Sequence, residues 1–116
     1  MTDDADKVNV LADCLGKAKD LSGLVDYVRH SIVSKTIVDK PTGTITLFAF
    51  DAGQGLSEHT TPYNATVLVL DGSAKLTIGG DEEIVASGQI IIMPPDVPHS
   101  VTAEERFKML LVMIRS

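Results

Sequence analysis

Residues 53–72 read GQGLSEHTTPYNATVLVLDG. A glycine-rich opening leads to one histidine, His59, on a polar rim. The run that follows alternates, so a strand's period of two puts Ala65, Val67 and Val69 on one face. Asp71-Gly72 then closes it. An Asp-Gly pair after an alternating run signals a hairpin, because the tight two-residue turns need positive φ at their centre. The stretch therefore predicts a loop, a strand and a sharp reversal.

Outward from it the same grammar repeats. Upstream, SIVSKTIVD (31–39) is rich in β-branched residues, KPTG (40–43) is turn chemistry, and TITLFAF (44–50) is apolar on both faces near its end. Downstream come AKLTI, a Gly79-Gly80 turn, EEIVA, QIIIM, HSVTA and FKMLLVMI. In all, about nine or ten short strands with turns at regular intervals predict an all-β sandwich or rolled barrel. Before residue 31 the pattern differs. Val8, Leu11, Ala12 and Leu15 fall at helical spacing, and Gly16 would end such a helix. DLSGLVDYV reads as an irregular connection laying Leu21, Leu24 and Val25 on the core, and the polar first eight residues are expected to be mobile. The organisation expected is an N-terminal extension (1–30) packed on a barrel (31–116).

At 116 residues with 44% apolar side chains, the chain is long enough for one domain with its own core. Its formal charge of −6, with scattered basic residues, argues against nucleic acid, which needs clustered Lys and Arg. The single cysteine, Cys14, allows no internal disulfide and suits a reducing compartment. The start, MTDDADK, lacks the basic and apolar segments of a signal peptide, and IIIM at 90–93 is too short to span a bilayer. A cytoplasmic protein with no membrane partner is expected.

Two spaced motifs then resemble those of the cupins, small double-stranded β-helix barrels, over residues 31–114. In the first, Gly53 is followed by five residues and His59, Thr61 stands where a second histidine would be, Ala65 where a glutamate would be, and Gly72 ends the motif. In the second, Gly88 is followed by five residues and Pro94, Asp96 takes a glycine's place, His99 is retained, and Ala103 replaces an asparagine. Asp tolerates the left-handed conformation wanted at that glycine position better than most residues. The resemblance implies a double-stranded β-helix (jelly-roll) fold and a frequent homodimer, with the apolar strands near 32–38 and 44–50 as an intersubunit face. It also implies a metal site of three histidines and one glutamate, of which this chain keeps His59 and His99.

A divalent metal (Zn, Ni, Fe or Mn) on His59 and His99 would be weakly held, since Ala65 offers no donor and Thr61 only a neutral hydroxyl. If His59 points inward, period two turns Thr61 inward as well, and His99, Val101 and Ala103 share one face. A cavity with two histidines and one hydroxyl on an apolar lining suits a small-molecule ligand. Tyr63 is placed at its mouth, and Lys35, like Lys108, is a lysine within an apolar strand that could meet a carboxylate. His30, the third histidine, lies just before the barrel, and Glu58 should face away from His59. Met93, Met109 and Met113 read as core filling. No nucleophile elbow or phosphate-binding glycine loop is present. Three functions remain open: a small-molecule-binding barrel with a weak metal, a metal-dependent dioxygenase or isomerase with an incomplete ligand set, and a metal-free dimeric barrel with a vestigial site.

Overall fold

The computed structural model describes residues 9–115. The polar run at 1–8, including Val8 of the expected helix, lies outside them. A one-turn helix α1 (Leu11–Cys14) and a 3-10 turn at Leu21–Leu24 precede nine strands. These are β1 (Ile32–Lys40), β2 (Gly43–Phe50), β3 (Gly55–His59), β4 (Ala65–Asp71), β5 (Ser73–Ile78), β6 (Asp81–Ala86), β7 (Ile90–Met93), β8 (His99–Thr102) and β9 (Phe107–Ile114). The sequence reads as a glycine-rich loop at DAGQG (51–55), leading to His59 with no strand there, but residues 55–59 pair with β8 as a strand. Glycines hid it, because they weaken a local strand signal that the partner strand restores through main-chain hydrogen bonds.

The strands form two antiparallel sheets, ordered β1-β2-β9-β4-β7 and β3-β8-β5-β6. Non-neighbouring strands pair in both, as a jelly roll requires. The inward faces follow the alternation: Ala65, Val67 and Val69 of β4, Ala74 and Leu76 of β5, and Phe107 and Met109 of β9 are all buried. At the closed end Phe50 and Phe107 stack, with ring centroids 4.6 Å apart and planes 10° from parallel.

Strand β2 is apolar on both faces because both are covered. Phe48 and Phe50 face the barrel, whereas Leu47 and Ala49 face out and pack with Val25 of the extension. Val25 is fully buried there, with Leu21, Leu24 and Tyr27 beside it. The outer face carrying Val33, Ile37, Leu47 and Ala49 is thus occupied by the chain's own residues 21–27. Polar clasps hold the extension in place. The Lys108 ammonium donates to the Ser22 carbonyl at 2.7 Å, the Tyr27 hydroxyl donates to the Asp71 carboxylate at 2.5 Å, and Arg106 lies 4.4 Å over the Tyr27 ring.

The Tyr27 clasp has a pH signature. Burial, and then the hydrogen bond to Asp71, raise the phenol's pKa above its ordinary value. The folded protein keeps this proton at a pH where the unfolded chain has lost it, so stability falls as pH rises through the ordinary tyrosine pKa of about 10. Tyr27→Phe is expected to cost about 1 kcal/mol at neutral pH through the lost hydrogen bond. The variant should also lose less stability than the parent between about pH 8 and pH 11. Urea unfolding at both pH values checks this. An equal loss in the two proteins would show that the Tyr27 hydroxyl makes no contribution.

Candidate functional site

The site lies where the ends of β3 and β8 meet. Asp96, in the turn before β8, has φ +63°, the left-handed conformation its place in the second motif calls for. That turn lets the Asp96 N–H donate to the Thr61 carbonyl at 2.8 Å, drawing the loop after His59 onto the turn before His99. His59 and His99 thereby become direct cross-strand partners.

A β-bulge aims His59. The pairing runs Leu56 with Val101, then His59 with His99, so β3 carries one extra residue across this interval. Without it, Leu56 and Glu58 would share the inner face and His59 would point out. With it, Leu56 and His59 both line the cavity and Glu58 stays exposed.

The two imidazoles meet edge to face, at 72° with centroids 4.4 Å apart, and their Nε2 atoms are 3.1 Å from each other. His59 Nδ1 lies 2.8 Å from the Ser57 carbonyl, and His99 Nδ1 lies 3.1 Å from the Val97 carbonyl. Carbonyl oxygens only accept, so each Nδ1 carries a proton and donates it. In the neutral rings both Nε2 atoms are then bare lone pairs directed at one another. An added proton or a metal cation between them relieves this, as does a change of tautomer that turns one Nε2 into a donor at the cost of its Nδ1–carbonyl hydrogen bond. The proton is opposed at His99, which is 2% exposed: burial lowers its pKa, the Val97 hydrogen bond acts the other way, and neighbouring His59 lowers it further; His59 itself is exposed, so this burial argument applies to one ring of the two. A metal fits the spacing, since two metal–nitrogen bonds of about 2.0–2.1 Å meeting at about 100° span the 3.1 Å gap. A second Nδ1–H partner on each ring is also the support that metal-binding histidines commonly have.

The pair opens on a cavity of about 70 Å³, otherwise lined mainly by Leu56, Ala65, Met93, Val101, Leu111 and Met113, with Met109 deeper. That is room for two or three waters at about 30 Å³ each, far less than the several hundred Å³ of a drug-sized site. Three of the cavity's lining residues are methionines, Met93, Met109 and Met113. A larger hollow of about 330 Å³ lies on the outer sheet face at Asn64, Thr66, Ile92, Val112 and Ile114. It carries no ionisable side chain and is not the chemical site.

Of the residues selected from sequence, His59, His99 and Thr61 come together here. The Thr61 hydroxyl donates to the Tyr63 carbonyl at 2.9 Å. Tyr63 enters through that carbonyl; its side chain is not part of the lining. Lys35 does not reach the cavity. It pairs across the sheet with Leu47, whose side chain belongs to the outer cluster, and residues opposed across a sheet share a face. Lys108 likewise faces out, to Ser22. His30 is exposed at the start of β1, where its main-chain N–H donates to Asp51. Among the described residues no group of three or more His, Cys, Asp or Glu is placed to share a metal, so the acidic and imidazole donors at the site are the two histidines alone. The methionine lining was missed because the sequence read these residues only as filling. Their periodic placement on β9 (Met109, Leu111, Met113) was the available signal.

Two antiparallel sheets closed over a core, with a histidine pair at the open end, define a small jelly-roll barrel. The cupin domain profile matches residues 46–114, more than half of the chain, and the chain belongs to this family. Among solved structures, a conserved protein of unknown function from Streptococcus pyogenes is 38% identical, with 86% of this chain and 88% of that one covered and a TM-score of 0.83. A cupin 2 conserved barrel domain protein from Leptotrichia buccalis is 41% identical with a TM-score of 0.80; the match covers 82% of this chain but 46% of that protein. A polyketide cyclase from Streptomyces resistomycificus, at 22% identity and a TM-score of 0.66 over 77% of this chain and 71% of its own, shares the fold alone. No curated protein matches the chain. Among the described residues, no helix is long and apolar enough to cross a membrane.

Proposed function

We propose that this protein is a binding barrel in which His59 and His99 hold one metal cation, and that a small ligand with a donor atom, or water, fills the remaining coordination positions. The observation that carries this reading is the pair of facing Nε2 atoms at 3.1 Å with both Nδ1 atoms committed to main-chain carbonyls. The metal would supply Lewis acidity at that point. The chain supplies two oriented imidazoles, His59 exposed at the mouth and His99 buried, and an apolar wall behind them. The small cavity restricts the ligand to a few heavy atoms inside the barrel, with any larger part lying outside the mouth. Thr61 borders the same space and can accept a hydrogen bond from the ligand while its own proton stays on Tyr63.

Elemental mass spectrometry of the untagged protein tests the reading. The parent is purified as it comes, then incubated with Zn(II), Ni(II), Fe(II), Mn(II) and, under reducing conditions, Cu(I). Near-stoichiometric retention of at least one metal is expected, with none in His59→Ala or His99→Ala. The retained metal should also stabilise the fold, by about 2.7 kcal/mol when its free concentration is 100 times the dissociation constant. No retention of any of the five in a folded parent would overturn it.

A further inference from the structure

The vacancy in the first motif is not simply empty. Ala65, where the family's glutamate would stand, is opposed across β7 by Met93 and across β9 by Met113. Opposed residues on one sheet face have Cβ atoms about 4.5–5.5 Å apart, so the two methionine side chains start on either side of Ala65, the position a glutamate would have taken. Both methionines line the same 70 Å³ space as His59 and His99. Met93 is 4% exposed, and the lining contains no carboxylate and no thiol. The one cysteine, Cys14, sits on the N-terminal helix, outside the lining.

This row changes which cation the site favours. The site is open to solvent at His59 and closed at His99, so a divalent ion there has no anionic ligand to compensate its charge and is partly desolvated on the His99 side. A monovalent ion carries less. Thioether sulfur is a soft donor that selects Cu(I), whereas Mn(II), Mg(II) and Ca(II) favour oxygen ligands that this lining lacks. Methionine's unbranched side chain has three rotatable bonds, so the sulfur can swing toward an ion without moving the strand.

We infer that the His59–His99 site is a soft-metal site for Cu(I), completed by the thioethers of Met93 and Met113 from the row that lost its carboxylate. The inference rests on the two-histidine metal reading above and names the ion and its further ligands.

The test loads the full chain anaerobically with Cu(I) and measures affinity by competition with bicinchoninate, and Zn(II) affinity by competition with a chromophoric chelator. X-ray absorption at the copper edge reads the ligand atoms directly. One equivalent of Cu(I) with both imidazole nitrogen and sulfur scatterers is expected. The double variant Met93→Leu/Met113→Leu, which nearly conserves volume, should lose the sulfur shell and bind Cu(I) at least about tenfold more weakly, with Zn(II) affinity unchanged. Cu(I) bound through nitrogen alone, or Cu(I) affinity equal in parent and variant while a metal still needs both histidines, would overturn the soft site and leave the two-histidine reading standing. Failure of every metal to bind would overturn both. Should the double variant not fold, the absorption spectrum of the parent still decides, since a spectrum without sulfur rejects the inference.

Discussion

Replacing Phe107 with alanine is expected to remove about 3–5 kcal/mol of folding stability, the range for deleting a large aromatic from a packed core. Phe107 is fully buried as the first residue of β9, is the cross-strand partner of Phe50, and stacks on its ring at 4.6 Å. The variant loses the transfer free energy of the ring and a stacked pair worth about 0.5–1.5 kcal/mol, and it leaves a hole between two sheets that are tied in register and cannot collapse far. A domain of this size has about 5–15 kcal/mol in total, so a large share goes with one side chain. The chain has no tryptophan, so circular dichroism in a urea titration is the suitable probe. A loss below about 1.5 kcal/mol would mean that the sheets close over the gap, against the packing described here. The histidine pair is at the opposite end of the cavity-bearing face, so a variant that still folds should keep its metal behaviour.

Gly72→Ala is expected to be nearly as damaging, at about 3 kcal/mol, for two reasons that act together. Gly72 has φ +71°, which alanine adopts only with strain. An added Cβ would also fall inside contact distance of the Arg106 carbonyl oxygen and 3.1 Å from Phe107 Cα. The turn between β4 and β5 therefore lies directly on the chain entering β9, and relief requires moving main chain. Thermal unfolding of Gly72→Ala beside Gly80→Ala separates the two causes. Gly80 also has positive φ, +90°, but nothing within 4 Å of the added atom. Gly80→Ala should show the conformational cost alone. Equal shifts in the two variants would show that the close approach to Arg106 and Phe107 has no energetic weight.

Much of the fold was legible because its signals are local. Alternation in ATVLVL placed Ala65, Val67 and Val69 inward, and all three are buried. The turn at Asp71-Gly72 and the left-handed residue at Asp96 follow from backbone preferences that a residue carries wherever it sits. TITLFAF reads as apolar on both faces near its end, with an intersubunit face as the expected cover; Val25 of the same chain packs on its Leu47 and Ala49. Lys35 was misplaced because a lysine in an apolar strand has no local signal for which face it takes. Its pairing with Leu47 decides that.

The sequence by itself determined where the strands other than β3 and their turns fall, and which two histidines stand at the motif positions. These are properties of neighbouring residues, set by sterics and by a period of two. Only the tertiary structure decided how the two histidines meet. One extra residue in β3 inverts the parity of everything after it, and that bulge exists only against β8. The Nε2 separation and the alignment of Met93 and Met113 beside Ala65 depend on register between strands far apart in the chain. Cross-strand register is set by closure of the whole barrel, and no local period encodes it.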